Sequence, residues 1–226
     1  MGIVLLVRHG QASFGADDYD VLSDVGVTQG LALGHSLAAS GTEPVLVVNG
    51  SLRRQRETAE GIVKAAGWTV PLETDARWDE FDHLKVVETY AKAAGDIPID
   101  VSDPREFQVL FERATGRWAS ANYDDEYDET FETFTTRVRG ALAEAARAAD
   151  TGHTVVVVSS GGAIAAAAAM LTGVSDRPQK LAAAWQRFNT VMVNTSVTRV
   201  VVGSTGARLL TFNEHGHLSG DDVTYR

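Results

Sequence analysis

The chain opens with an unbroken apolar run, residues 3–7, that leads directly into Arg8, His9 and Gly10. This run predicts a buried β-strand, and α/β proteins place their ligands at the carboxyl ends of such strands. An arginine beside an imidazole suits an anionic substrate, because Arg8 can donate two hydrogen bonds to phosphate oxygens while His9 attacks phosphorus. Gly10 has no side chain to obstruct that approach. These residues predict a phosphate site with His9 as nucleophile, and the alternative is that Arg8 and His9 merely end a strand.

Composition limits the kind of protein that can carry such a site. The chain has 226 residues, of which 44% are hydrophobic, and this predicts one large α/β domain over residues 1–226. With 20 Lys and Arg against 30 Asp and Glu, its net charge of -10 disfavours binding to nucleic acid or to an anionic membrane. The chain has no cysteine, and its first apolar run is too short for a signal peptide, so we expect a cytoplasmic location.

The remaining elements follow from hydrophobic patterning. Further strands are predicted at residues 45–48, 69–72 and 154–159, with β structure again over 189–203 and 208–212. Residues 11–27 are predicted as a loop. The resulting fold class is α/β, a mixed and mainly parallel sheet sandwiched by helices. Residues 84–150 lack a convincing strand and are expected to form an inserted, mainly helical cap, ending in an amphipathic helix over 130–149.

The stretch from Leu5 to Ala12, Leu-Leu-Val-Arg-His-Gly-Gln-Ala, resembles the signature of the histidine phosphatase superfamily, the phosphoglycerate-mutase-like enzymes. The resemblance implies a phosphoglycerate-mutase-like fold, a phosphohistidine intermediate and no cofactor. The stretch from Gly50 to Ala59 is similar to the family's Ser-x-Leu-x-Arg-x-x-Gln-Thr-Ala, although Gly50 replaces Ser and Glu57 replaces Gln. Alignment on its last two residues assigns the phosphate-binding arginine to Arg54.

Two neighbouring arginines, Arg53 and Arg56, share this strand-to-helix junction with Arg54. We expect both to lie on a solvated helix face and to pair with Glu57 and Glu60, because residues three or four apart are neighbours on a helix.

The segment Trp78-Asp79-Glu80 resembles the family's Leu-x-Glu, which implies that Glu80 protonates the leaving oxygen. A carboxyl group beside Trp78 and Phe81 suits this role, because desolvation raises its affinity for protons. Asp79 and Asp82 are alternative acids, and the whole segment could instead be a solvated acidic loop.

The chain departs from the family at Ser160. Where the superfamily reads Ser-His-Gly-Gly, residues 159–162 read Ser-Ser-Gly-Gly, so a second, charged histidine is missing. The hydroxyl of Ser160 can donate a hydrogen bond to a phosphoryl oxygen but brings no charge, and Gly161 is assigned to the same phosphate site. His83 is one group that could compensate. Gln11, Ser13 and His83 are candidate substrate contacts.

These residues favour a phosphomonoester hydrolase, similar to a histidine acid phosphatase, that acts on a small phosphorylated molecule through a phosphohistidine. Ser160 motivates the alternative of a catalytically impaired binder of a phosphate ligand, or a regulatory member of the family. A mutase is a weaker prediction, because Gln11-Ala12 departs from the Glu-Ser that follows the motif in the bisphosphoglycerate-dependent mutases. An unrelated nucleotide-binding protein that uses residues 159–162 as an anion loop is weaker still.

No metal is assigned, either to the acidic run 124–129 or to His215 and His217, which lack thiol or carboxylate partners. No nucleic acid or membrane partner is expected. The oligomeric state stays open, with a homodimer as one option.

Overall fold

A computed structural model describes residues 1–13, 20–98, 104–150, 152–174 and 177–225. These residues form a six-stranded sheet of order β3-β2-β4-β1-β5-β6. The strands are β1 (Gly2–Arg8), β2 (Pro44–Asn49), β3 (Leu72–Thr74), β4 (Thr154–Ser159), β5 (Val197–Gly203) and β6 (Gly206–Glu214). Strands β1 to β4 run parallel, whereas β5 and β6 are antiparallel to their neighbours. The predicted mixed, mainly parallel sheet is confirmed.

Helices cover both faces of this sheet. They are α1 (Asp24–Ala39), α2 (Arg53–Ala66), α3 (His83–Ala93), α4 (Pro104–Ala119), α5 (Phe131–Ala149), α6 (Gly161–Ala169) and α7 (Pro178–Asn189). Helices α1 and α2 pack on the face that carries Leu5, Val7 and Val156. Helices α5 and α6 pack on the opposite face with Leu6 and Val157. Burial on both faces explains why the central strands are continuous apolar runs.

The register of the two central strands determines where the site forms. Arg8 at the end of β1 lies beside Ser159 at the end of β4, and the backbone N–H of His9 donates to the carbonyl of Ser159 at 2.8 Å. Side chains alternate between faces along a strand. His9 and Ser160, one residue further along each chain, therefore emerge side by side toward α2.

Two of the predicted strands need correction. The third strand lies at Leu72–Thr74 rather than 69–72, because Pro71 has no N–H to donate to the sheet and only accepts from the N–H of Val47 at 3.0 Å. Residues 189–196 are not β structure: Asn189 ends α7, and Thr195 has a positive φ of 56° within the turn before β5.

The amino end of α1 also differs from the sequence prediction. The helix begins at Asp24, inside the predicted loop 11–27, because the Ser23 side chain accepts from the N–H of Gly26 and caps it. Residues 14–19 of that loop, and residues 99–103 of the predicted cap, lie outside the described residues.

The region expected to be helical contains α3, α4 and α5. The last of these returns to the sheet as its pattern predicts, burying Phe134, Val138 and Leu142 against the core. Among the described residues, no helix is long and apolar enough to cross a membrane.

Candidate active site

His9 lies at the carboxyl end of β1 and only 5% of it is exposed. Its ring Nδ1 is 2.6 Å from the carbonyl oxygen of Gly10, and its Nε2 is 3.2 Å from Nε of Arg54. A carbonyl only accepts and a guanidinium only donates, so the proton lies on Nδ1 and the lone pair of Nε2 faces Arg54. The imidazole is therefore neutral and oriented at both nitrogens.

The electrostatic surroundings favour the same protonation state. Burial, followed by the positive charges of Arg54 and Arg8, holds the pKa of His9 well below its usual 6.5, and the hydrogen bond to Gly10 opposes this only in part. His9 is thus neutral at physiological pH, which is the form that can act as a nucleophile.

Gly10 is required by close packing. A side chain there would collide with the carbonyl of Gly26 in α1, so the glycine lets the helix approach as well as leaving the ring of His9 uncovered. The N–H of Gly10 donates to Oγ1 of Thr58 at 3.0 Å, and that hydroxyl donates to the carbonyl of Arg54 at 2.7 Å. Thr58 therefore ties α2 to the end of β1.

Arg54 occupies the first turn of α2, and 6% of it is exposed. Besides its contact with His9, it donates from Nη1 to Oδ1 of Asp20 at 2.7 Å. Arg8 donates from Nη1 to the carbonyl of Tyr225 at 3.0 Å and to that of Met192. The charges of both guanidinium groups act on His9, and a phosphate bound beside its ring would compete with these protein acceptors.

The other two arginines of the α2 junction point away from His9. Arg53 is exposed and pairs through Nε with Oε1 of Glu57 at 2.6 Å, the expected i,i+4 contact. Arg56 is exposed on the same helix.

Glu80 reaches the amino end of α6. Its Oε2 accepts from the N–H of Gly162 at 2.9 Å, and its Oε1 accepts from the N–H of Phe81 at 3.2 Å. A side chain at Gly162 would collide with both this carboxyl group and the Phe81 ring, so glycine is needed for the approach. Burial raises the pKa of Glu80 above its usual 4.5, against the opposing hydrogen bonds and the charges of Arg54 and Arg8.

The two alternative acids have other partners. Asp79 accepts from the N–H and the hydroxyl of Ser51, each at 2.5 Å. Asp82 is exposed and caps α3 by accepting from the N–H of Lys85 at 3.0 Å. Glu80, by contrast, binds the N–H of Gly162 at the start of α6, close to Ser160 and Gly161 in the chain.

Ser160 is fully buried beside His9, and its Oγ accepts from Nε2 of Gln55 at 2.8 Å. Gln55 is also fully buried, and the same amide nitrogen donates to the carbonyl of Trp78 at 3.2 Å. Ser159 donates to that carbonyl at 2.6 Å. Because the oxygen of Ser160 accepts from Gln55, its own proton is directed elsewhere.

The remaining sequence candidates, which differ in how far they are buried, are Gly161, His83, Gln11 and Ser13. Gly161 is buried at the start of α6, on the side toward Arg8. His83 opens α3, with its ring centroid 6.4 Å from that of Phe111; burial and then the charge of Arg54 lower its pKa. Gln11 and Ser13 are partly buried in the loop after β1, where Gln11 accepts from the hydroxyl of Ser23 at 2.8 Å and Ser13 donates to the carbonyl of Val21 at 2.8 Å.

Sequence reasoning did not assign several buried residues that hold the site. Gln55 and Thr58 lie inside the stretch that resembles the family motif, which was a usable signal. Asn194 donates from Nδ2 to the carbonyl of His9 at 3.2 Å, and Gln29 accepts from the N–H of Gln11 at 2.8 Å. Nothing in the local sequence marks these last two contacts, since they join distant parts of the chain.

The residues that the structure describes contain no candidate metal centre. No group of three or more histidine, aspartate or glutamate side chains there could hold an ion. His217 instead contacts Oγ1 of Thr195 at 3.1 Å, and its pKa falls to about 4 because of burial and, second, the neighbouring His215.

Comparison with known proteins finds similar sequences and similar folds. A curated relative, the glucosyl-3-phosphoglycerate phosphatase of Mycolicibacterium vanbaalenii, is 28% identical over 149 residues, which cover 54% of this chain and 64% of the relative, just under two thirds. A phosphoglycerate mutase structure from Bacillus anthracis superposes with a TM-score of 0.67 at 21% identity, covering 96% of this chain and 94% of that one.

A mycobacterial glucosyl-3-phosphoglycerate phosphatase in complex with VO3 superposes with a TM-score of 0.62 at 22% identity, covering 94% of this chain and 99% of that one. At these identities the two solved structures establish the phosphoglycerate-mutase-like fold. The model of the histidine phosphatase superfamily (branch 1) matches residues 4–215, a range that includes Glu80 and the carboxyl ends of β1 and β4. The chain belongs to the histidine phosphatase superfamily.

Proposed function

We propose that this protein is a phosphomonoester hydrolase that acts on a small phosphorylated molecule through a phosphohistidine at His9. The observation that carries the proposal is the hydrogen bonding of the His9 ring, in which Nδ1 donates to Gly10 and Nε2 faces Arg54. A neutral imidazole beside a guanidinium is arranged to attack a phosphoryl group that the guanidinium binds.

The proposed reaction has two steps. A bond forms between Nε2 of His9 and phosphorus while the bond to the leaving oxygen breaks, and Glu80 gives its proton to that oxygen. Water then attacks phosphorus and passes a proton to the Glu80 carboxylate, and the phosphorus–nitrogen bond breaks to release phosphate. The raised pKa of Glu80 supports its role as the acid of the first step. Arg8 and Arg54 supply the positive charge, so neither step uses a metal or a cofactor.

Ser160 and Gly161 complete the proposed phosphate site. The Ser160 hydroxyl accepts from Gln55, so its proton can be donated to a phosphoryl oxygen. Gly161 begins α6, and N–H groups at the start of a helix favour anions. These donors replace part of what a second histidine would contribute.

We infer that the leaving group lies beside His83, under a cap formed by α3, α4 and α5. Glu80 must contact the leaving oxygen, and His83 is only three residues further along the chain, facing Phe111 of α4. Gln11 and Ser13, in the loop after β1, are proposed as further contacts of the substrate. Because the curated relative is named as a phosphatase of glucosyl-3-phosphoglycerate, phosphorylated glycerate derivatives are the first natural substrates to test.

A second candidate function is favoured by Ser160 itself. The site keeps two arginines but has a neutral hydroxyl in place of the family's second histidine. A binder of a phosphate ligand with little turnover would have this composition. The mutase alternative has no comparable support, because Gln11-Ala12 stands where the mutases have Glu-Ser.

One experiment separates the two candidates. The protein is mixed with radiolabelled nitrophenyl phosphate and quenched with base within milliseconds to seconds, with and without a chelator. We expect acid-labile label on His9, unchanged by the chelator and absent from His9→Ala. Label on no histidine, together with phosphate binding and no turnover, would establish the binder, and activity abolished by the chelator would remove the proposed mechanism.

A further inference from the structure

Arg137 in α5 has no role in the two-step reaction, but it makes several contacts with the backbone that leads to Glu80. Its Nη1 donates to the carbonyl of Arg77 at 2.9 Å and to that of Asp79 at 2.8 Å, and its Nη2 approaches the carbonyl of Glu80 at 3.5 Å. Its Nε and Nη2 also donate to the two carboxylate oxygens of Glu129, at 2.6 and 3.0 Å. One guanidinium thus contacts the backbone from Arg77 to Glu80, the proposed acid.

The backbone of residues 77–80 belongs to no strand and no α-helix. A single 3-10 turn, Ala76–Trp78, is followed by Asp79 and Glu80 in irregular structure, so their carbonyl groups need donors from elsewhere in the fold. The carbonyl of Trp78 is satisfied by Gln55 and Ser159, from the side of the phosphate site. Arg137 satisfies the carbonyls before and after it from the opposite side.

Glu80 is consequently held at two points. Its carboxylate is bound by the N–H of Gly162, and its backbone carbonyl lies against Arg137. The guanidinium is itself fixed, because Glu129 binds it in a bidentate pair and its carbon lies 4.8 Å from the centre of the Phe134 ring. Glu129 also balances the charge of Arg137, whereas the cations that lower the pKa of Glu80 are Arg54 and Arg8. The contribution of Arg137 is therefore geometric.

We infer that Arg137 is a positioning residue for Glu80. It holds the backbone of residues 77–80 so that the Glu80 carboxyl group meets the leaving oxygen. This inference rests on the proposed hydrolase function. Loss of the Arg137 guanidinium affects the step in which the leaving oxygen is protonated and spares the binding of phosphate. A displacement of about 1 Å from productive geometry can cost on the order of a hundredfold in rate.

The test compares Arg137→Met with Arg139→Met. Methionine keeps an unbranched stem but donates no hydrogen bond, and Arg139 is exposed on the same helix two residues further along. We expect Arg137→Met to lower kcat/KM, which reports the first step of the reaction without the second, at least about tenfold for an alkyl phosphate and less than about threefold for nitrophenyl phosphate, whose leaving group needs no proton. Vanadate affinity should stay within about twofold, and Arg139→Met should match the parent in all three measurements.

Equal losses of kcat/KM for both substrates, or a large loss of vanadate affinity, would overturn the inference, because they would show a general distortion of the site. Glu80→Gln provides the reference, since it should show the same dependence on leaving group. If Arg137→Met does not fold, Arg137→Lys, which keeps the charge but not the fork, is expected to show a smaller loss confined to the alkyl phosphate. A parent protein that hydrolyses neither substrate refutes the proposed function instead, and the role of Arg137 falls with it.

Discussion

In the proposed site, Ser160 stands where the family has a second histidine. It is fully buried, and its oxygen accepts a hydrogen bond from the Gln55 amide at 2.8 Å. As the phosphoryl group transfers, negative charge on its oxygens must be met by donors already in place. We expect Ser160→Ala to lower kcat roughly a hundredfold, the usual cost of removing one such donor, with a smaller change in KM.

The measurement is turnover of nitrophenyl phosphate by purified variants that are folded at the temperature of the assay. Ser160→His is the informative second variant. Because the site around Ser160 is filled, the larger ring must displace Gln55, which costs about 1–3 kcal/mol of stability. A parent rate retained by Ser160→Ala would mean that the hydroxyl does not contact the phosphoryl group.

In the proposed mechanism, His9 and Glu80 determine the pH dependence of kcat/KM, which reports the first step. His9 must be neutral to attack, and because its pKa is held well below 6.5, the acidic limb of the profile should lie below pH 6.5. Glu80 must be protonated to donate, and because its pKa is raised, the alkaline limb should lie above pH 4.5. A bell-shaped profile with an alkyl phosphate is therefore expected, and Glu80→Gln should abolish the alkaline limb alone. An alkaline limb that persists in this variant would point to another acid.

At the scale of elements, the sequence predicts those parts whose signal is local. Strands β1, β2 and β4 are buried on both faces and read as apolar runs, so both their positions and the residues at their carboxyl ends could be inferred. Strand β3 is a three-residue edge strand with every residue exposed, and the apolar pattern misplaces it. Helix α7 has no counterpart in the sequence prediction, although its first-turn Pro178 and the buried pair Leu181 and Trp185 are helix signals.

The candidate site divides in the same way. His9 and Ser160 could be placed together because parallel strands bring their carboxyl ends to one edge of the sheet. Gln55 lies in the stretch that resembles the family motif, but Asn194, which binds the carbonyl of His9, and Arg137, which contacts the backbone of Glu80, could not be found, since both act through contacts across the fold. Arg137 in particular lies 57 positions from Glu80 in the chain, and its own helix shows only an amphipathic pattern.

At the scale of the whole molecule, the segment near Thr224 joins parts of the chain that are far apart in sequence. The Thr224 hydroxyl accepts from Nε2 of Gln29 at 2.8 Å and donates to Oδ1 of Asn194 at 2.9 Å, while Asn194 holds the carbonyl of His9. These contacts join α1, the turn before β5 and His9 in one hydrogen-bond network. Arg8 is included, because it donates to the carbonyl of Tyr225.

Thr224→Val should weaken this network without changing the shape of the side chain. It removes a hydroxyl that both accepts and donates, so the amide groups of Gln29 and Asn194 each lose one partner, at a cost of about 1–3 kcal/mol in the free energy of unfolding. Because Asn194 and Arg8 are held by the same segment, vanadate affinity should fall in parallel. Urea unfolding and vanadate titration measure the two effects. Thr28→Val is the matched control, since Thr28 is exposed in α1 and its hydroxyl donates only to the local carbonyl of Asp24 among the contacts the structure describes. If Thr224→Val loses stability but binds vanadate as the parent does, the segment supports the fold and not the phosphate site.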